Sequence, residues 1–515
     1  MCIMVCLRGA WANVRGQVPF PIAFGWYDSP ATMSSGTASK RWPLYVLAGT
    51  LSFVLLGAAG FAFSHQATLV SMVFGERSVH NALLPLQNAA TESLPLSAEV
   101  LLQQAEIERM QGRPDIAVSL YEEALEKGGD LTAIRRLFDA HLLIGDTKKA
   151  ESVLGLLSFR GAPEHSLEAL RGLLLLRQGR ITEARDIFSK EPDRSEHRFG
   201  LLLVSLIEGN HGEAKEHISL LMQSPDPFLA HAARSVQGAY DEFALFEDGR
   251  TDHLLTLLAR SLGQIGEWPA AATILESVTA NDPDYRDAQI LLGYSRFMMG
   301  MQDAALEPLK RAYDMDPEKA ETQYFLGLVY VNKGKNEEAT MYLSHALQNG
   351  FIPKRSVREK LTDLAIERGA YEEAIGQLHA IVDEGEGDAS SYRLLIQLLI
   401  DHRNDIEQAR SLALAARELF GDTSADVLDL MGWTALLIGS MDEAATFLTT
   451  AVQQDPMLGA AWLHKGMLHE ALGERDEALS AYRTAYESSI GRDQDTAQDA
   501  AERHNALLVQ VADSQ

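Results

Sequence analysis

Residues 288–317 read AQILLGYSRFMMGMQDAALEPLKRAYDMDP, and residues 322–350 answer them with TQYFLGLVYVNKGKNEEATMYLSHALQNG. Laid over each other, the two stretches put small residues on small residues: Gly293 on Gly327, Gly300 on Gly334, Ala305 on Ala339 and Ala312 on Ala346. Every pair is 34 residues apart. A fixed period of this size marks a solenoid, in which each unit buries its apolar face only by stacking on its neighbours.

Each copy reads as two antiparallel helices and a tight turn. Gly300 ends the first helix, because glycine takes a left-handed cap without steric cost. Asp303 or Gln302 is expected to cap the second. Gly293 and Ala305 are small where two helices cross closely, and Ala312 is small where the next unit packs. Pro308 falls inside the second helix and is expected to bend or weaken it, whereas its counterpart Tyr342 does neither. Pro317 stops the helix for want of an amide proton.

The pattern continues along the chain. Turn glycines recur at Gly266, Gly300, Gly334, Gly369, Gly439 and Gly473. Trp462, Gly466, Gly473, Ala478, Tyr482 and Ala485 form the fullest set, followed by Gly432, Gly439, Ala444, Leu448, Ala451 and Pro456. Weaker copies centre on Gly112, Gly145, Gly172, Gly209, Gly369 and Ala409. This resembles the tetratricopeptide repeat family, with about eleven units between Ser97 and Tyr486. The resemblance implies an all-α solenoid of helical hairpins wound as a right-handed superhelix. An irregular helical bundle is the competing reading.

The resemblance also implies that the first helix of each unit lines a groove along which peptides lie. That places Ile290, Tyr294, Phe297 and Met298, then Tyr324, Leu328 and Asn332, and further on Trp433, Leu436, Leu463 and Met467 at a protein-binding groove. Inward-facing and core positions differ by one helical step, so packing within the solenoid stands beside this reading for each of them. One variant of the family grips a terminal carboxylate with Lys, Asn and Arg. Ile290 and Tyr294 stand where its Lys and Asn are expected, which argues against that activity in this unit.

With 46% apolar and 23% charged residues, the 515-residue chain has the composition of a globular protein. Its formal charge of −27 argues against a nucleic-acid backbone as partner, where positive charge supplies the attraction. Both cysteines, Cys2 and Cys6, lie at the extreme N-terminus, so no disulfide staples the repeats.

Outside the repeats, residues 1–42 read as a tail, of which 1–32 read either as an upstream over-extension of a chain starting at Met33 or as a real flexible tail. Pro43 to Phe63, PLYVLAGTLSFVLLGAAGFAF, carries no charge and has the length of a membrane-spanning helix. Lys40 and Arg41 precede it, and no Asp, Glu, Lys or Arg follows until Glu76. The positive-inside rule then predicts a single-pass inner-membrane protein with a cytoplasmic N-terminus and its repeats on the extracytoplasmic side. A cleaved signal peptide, leaving a secreted or periplasmic protein, is the alternative. Residues 64–96 read as a connector, 97–223 as a first repeat block and 251–487 as a second. Between the blocks, 224–250 suit one long joining helix or a decayed repeat, and 488–515 a capping helix and tail.

No phosphate loop, HExxH helix or serine elbow stands in the sequence. The fifteen histidines are scattered, and His141, His165, His197 and His464 read as loop or helix-surface residues. Acidic pairs such as Glu337–Glu338 and Glu372–Glu373 recur at the start of second helices, where acids favour the helix dipole. The expectation is a non-catalytic, membrane-anchored scaffold with no cofactor and no metal, binding protein or peptide partners in envelope or export assembly. A substrate-recognition subunit of an enzyme complex, or a cytoplasm-facing adaptor, are the alternatives.

Overall fold

The computed structural model describes residues 97–246, 249–490 and 493–512, and all their regular structure is helical. Four hairpins come first: α1 (Ala98–Met110) with α2 (Pro114–Glu126), α3 (Leu131–Leu143) with α4 (Thr147–Phe159), α5 (Glu164–Arg177) with α6 (Ile181–Phe188), and α7 (Ser195–Ile207) with α8 (His211–Leu221). A single helix, α9 (Pro227–Phe243), follows. Seven more hairpins succeed it: α10 (Thr251–Gln264) with α11 (Trp268–Asn281), α12 (Arg286–Met298) with α13 (Gln302–Met315), α14 (Ala320–Asn332) with α15 (Asn336–Gln348), and α16 (Lys354–Glu367) with α17 (Tyr371–Asp383). The last three are α18 (Ala389–Leu398) with α19 (Ile406–Phe420), α20 (Ala425–Leu437) with α21 (Met441–Gln454), and α22 (Gly459–Leu472) with α23 (Arg475–Ser489). The final helix is α24 (Gln494–Ala512). Described residues up to His504 belong to one compact unit, and the end of α24 falls in a second. Each helix packs chiefly on the one before and the one after it, as stacked repeat units require.

The small residues do what a close crossing needs. Ala305, Ala312, Ala339 and Ala346 are fully buried. A Cβ built on Gly327 would lie 2.7 Å from Cγ of Leu343, so α14 and α15 meet at van der Waals contact only because that side chain is missing. Gly293 stands in the same relation to Leu309. At the turn, Gly300 holds φ +74°, its amide donates to the Phe297 carbonyl at 2.9 Å, and the Met301 amide reaches back to Arg296 at 2.9 Å. Both bonds satisfy carbonyls that the end of α12 would otherwise leave unpaired.

Three details depart from the sequence reading. Helix α13 runs unbroken through the buried Pro308. Neither Gln302 nor Asp303 caps it: Met301 occupies the cap position without a side-chain bond, and Gln302 is already helical. In the hairpin of α18, five residues of π-helix (Leu399–Arg403) precede a left-handed Asn404 (φ +52°), which stands where other units have glycine.

The Pro43 to Phe63 segment lies outside the described residues. Among those described, no helix is long and apolar enough to cross a membrane.

Candidate protein-docking face

Residues from the first helices of the units form the face in question. Ile290, Phe297, Met298 and Tyr324 are buried together in one apolar cluster, against which Tyr294 and Leu328 pack half-buried. The tyrosines are held by rings: Tyr294 stacks on Phe325 at 4.3 Å between centroids and meets Trp268 edge-on at 5.2 Å. Tyr324 stacks on Phe351 at 4.1 Å. Burial pushes the Tyr294 hydroxyl up to about 12 and the Tyr324 hydroxyl higher. The rings of these two tyrosines are therefore packed into the core, and Tyr294, Leu328 and Asn332 of this group keep partial access.

Further along, Trp433, Leu436 and Leu463 are buried and Met467 is half-buried. Leu436 and Met467 share a cluster, whereas Trp433 belongs to a neighbouring one. The indole of Trp433 lies parallel to the His464 ring at 4.5 Å. Nδ1 of His464 is 2.7 Å from Oδ1 of Asp429, whose other oxygen accepts from Arg393 Nη1 at 2.7 Å. Arg393 Nη2 also donates to Asp426 at 2.9 Å. Burial alone would raise the Asp429 carboxyl, but His464 and Arg393 outweigh it and hold the group below the ordinary carboxylate range. The ion network ties α18, α20 and α22 together across three units. His464, His141 and His197 are thus buried, which corrects the surface reading of the sequence.

Asn332 reveals what this face holds. Its Nδ2 donates to the carbonyls of Gln111 at 3.0 Å and Gly112 at 3.2 Å, in the turn between α1 and α2. Gln302 Nε2 donates to the same Gly112 carbonyl at 2.7 Å. The ring of Phe297 lies on Gly112, and Pro114 abuts Gly300. The first turn of the repeats therefore occupies part of the face lined by α12, α13 and α14. Nothing in the periodicity marks Gln302 for this role, nor a contact between segments so distant in the chain.

A second recurring bond escaped the sequence reading as well. Gln289 Nε2, Gln323 Nε2 and Trp462 Nε1 each donate to the carbonyl of the proline six residues earlier: Pro283 at 2.8 Å, Pro317 at 2.6 Å and Pro456 at 2.9 Å. Glutamine fills the tryptophan position because a side-chain N–H is what that position supplies.

Among the described residues, no group of histidine, cysteine and acidic side chains is placed to hold a metal ion. A cavity of about 480 Å³ is lined by charged residues including Glu106, Arg109, Arg136, Asp139 and Glu267. Its charges pair internally. Glu106 accepts from Arg109 at 2.8 Å and also from Arg136, Asp139 pairs with Arg135 at 3.0 Å, and Arg177 pairs with Glu267.

Models of the tetratricopeptide repeat match residues 256–318 and 430–493, and a second such model matches 320–349. These stretches carry tetratricopeptide repeats, which are scaffolds for protein–protein contact. The chain is 25% identical over 248 residues to Superkiller complex protein 3 of Homo sapiens, an alignment covering 46% of this chain and 15% of that protein. The Mus musculus protein matches at 26% over 251 residues, again across 15% of its length. Among solved structures, yeast Tom70 aligns over 81% of this chain and 96% of its own at 15% identity, with a TM-score of 0.29. Pseudomonas aeruginosa pilF aligns over 40% of this chain and 92% of its own at 20% identity, with a TM-score of 0.33. Nothing about function transfers at those TM-scores.

Proposed function

We propose that this chain is a non-catalytic scaffold that docks segments of protein partners on the face formed by the first helices of its repeats. The observation that carries the reading is the grip of Asn332 and Gln302 on two backbone carbonyls of a turn. Side-chain amides that bind main chain, set beside an apolar ring such as Phe297, are a general means of holding a peptide segment. In this reading, residues 97–223 and 251–487 form two repeat blocks joined by 224–250, and Pro43 to Phe63 anchors the chain in the inner membrane. The repeats then face the extracytoplasmic side, where the partners belong to envelope or export assembly. Anchoring raises the effective concentration toward a partner in the same membrane.

Leu328→Glu and Met467→Glu test the docking reading, with Thr446→Glu on an exposed second-helix face as control. Proteins recovered with the full chain from native membranes are expected to fall at least tenfold with the first two variants and stay level with the third. Equal recovery from all three would contradict docking on this face. Protease accessibility in spheroplasts tests the orientation separately: repeats shielded inside the cell would reverse it.

A further inference from the structure

Two cavities lie between helices of the first hairpins and the helices that follow α9. The charged one, of about 480 Å³, has α3, α5 and α9 on one side and Glu267 and Pro269 on the other. A second cavity of about 510 Å³ has Leu142, Leu176 and Ile207 on one wall and Ala272, Met299 and Met301 on the other. Gln111 to Pro114 meets α12 to α14 through side-chain amides and the Phe297 ring, and the Arg177–Glu267 pair is a further tie between early and late units.

The turn is also an incomplete occupant. It presents two carbonyls, and Asn332 and Gln302 satisfy them. Oε1 of Gln302, however, is buried with no hydrogen-bond partner among the described residues. The amide proton of Gly112 is directed to the Arg109 carbonyl, so the turn does not supply that oxygen. A buried acceptor left unpaired is costly, and an occupant donating an N–H would relieve it.

We propose that the first turn is a resident stand-in for a partner's peptide segment, and that it leaves the face when that segment binds. This rests on the docking reading above. The segment it gives way to presents two successive free carbonyls for Asn332 and Gln302, a glycine or similarly bare residue for Phe297, and a backbone N–H for Gln302 Oε1. Release separates the turn between α1 and α2 from α12 to α14.

The test uses the full chain with Cys2 and Cys6 replaced by Ser and spin labels at Ser119→Cys on α2 and Lys335→Cys before α15. The probe is a peptide of residues 108–116. Wild type is expected to show one short distance, and saturating peptide a longer one. Gly112→Leu, which collides with Phe297 but leaves Gln302 and Asn332 intact, is expected to show the longer distance unaided. With the competing turn gone, it is expected to bind the peptide at least tenfold tighter than wild type. Should Gly112→Leu fail to fold, the Gln302→Ala, Asn332→Ala pair carries the distance measurement, with the longer distance expected. An unchanged distance in the opened variants, or equal peptide affinity for wild type and Gly112→Leu, overturns the proposal. A dimer of Gly112→Leu by light scattering, with the short distance kept between copies, overturns it in favour of exchange with a second copy. Loss of partners in Met467→Glu together with an immobile turn would sink the stand-in alone and leave docking intact.

Discussion

Phe297 lies so close over Gly112 that a Cβ built on the glycine would fall 2.5 Å from Cε1 of the ring. One residue belongs to the turn between α1 and α2 and the other to α12, so the contact joins units far apart in the chain. Gly145, at the same place in the second hairpin, shares the left-handed backbone (φ +78° against +73°) but has nothing within 4 Å of an added Cβ. Alanine at either site meets the same backbone strain, about 1–2 kcal/mol. Gly112→Ala is expected to cost about 1–3 kcal/mol more than Gly145→Ala, because only it overpacks a ring. Urea unfolding of the two variants checks this, and equal losses would mean that Phe297 yields freely.

The crossing of α14 and α15 supports a coupled pair. Gly327→Ala is expected to destabilise by about 1–3 kcal/mol through collision with Leu343. Leu343→Ala alone leaves a cavity at a fully buried site and is expected to cost about 2–5 kcal/mol. In the double variant the new methyl occupies the vacated space, so its loss should be clearly smaller than the sum. Strict additivity would show that the two side chains do not share that space.

Asp429 gives the fold an acid-sensitive point. Its carboxyl sits lower in the folded chain than in the unfolded one, so the stability it contributes is present above the unfolded value of about 4 and is lost as pH falls through the folded value. Asp429→Ala at neutral pH removes the partner of His464 Nδ1 and leaves Arg393 with Asp426 alone, and is expected to cost about 1–3 kcal/mol. Asp429→Asn should flatten the decline in melting temperature below pH 4 relative to wild type. Parallel declines would assign the acid sensitivity to other carboxylates.

Gln323→Met removes the donor to the Pro317 carbonyl at a site that is 2% exposed. A loss of about 1–3 kcal/mol is expected, since the Pro317 carbonyl loses its donor and Asn349 Nδ2 loses its acceptor. Gln289→Met, which removes the Pro283 bond, should lose stability in the same direction, and thermal unfolding of both checks the pattern. A neutral effect at both sites would reduce the recurring bond to coincidence.

The repeats were legible because their determinants are local and periodic: a left-handed glycine such as Gly300 and a crossing glycine such as Gly327 each follow from a neighbour within one unit. Much of the candidate face was not. Tyr294 and Tyr324 stand one helical step from the groove, and only the positions of Phe325 and Phe351 decide that they turn into the core. Asn332 was readable as a groove residue, but its occupant was not, since Gln111 lies more than two hundred residues away and no short-range pattern encodes that approach. His464 looked solitary because its partner Asp429, itself held by Arg393, belongs to a neighbouring unit.

Site-specific photocrosslinking in living cells tests the central claim most directly. A photoreactive phenylalanine at Leu328 or Met467, on the face itself, is compared with one at Thr446, on an exposed second helix. The account predicts discrete adducts to the same partner proteins from the first two positions and none from the third. Adducts of equal yield from Thr446, or none from Leu328 and Met467 in a folded, expressed chain, would contradict it.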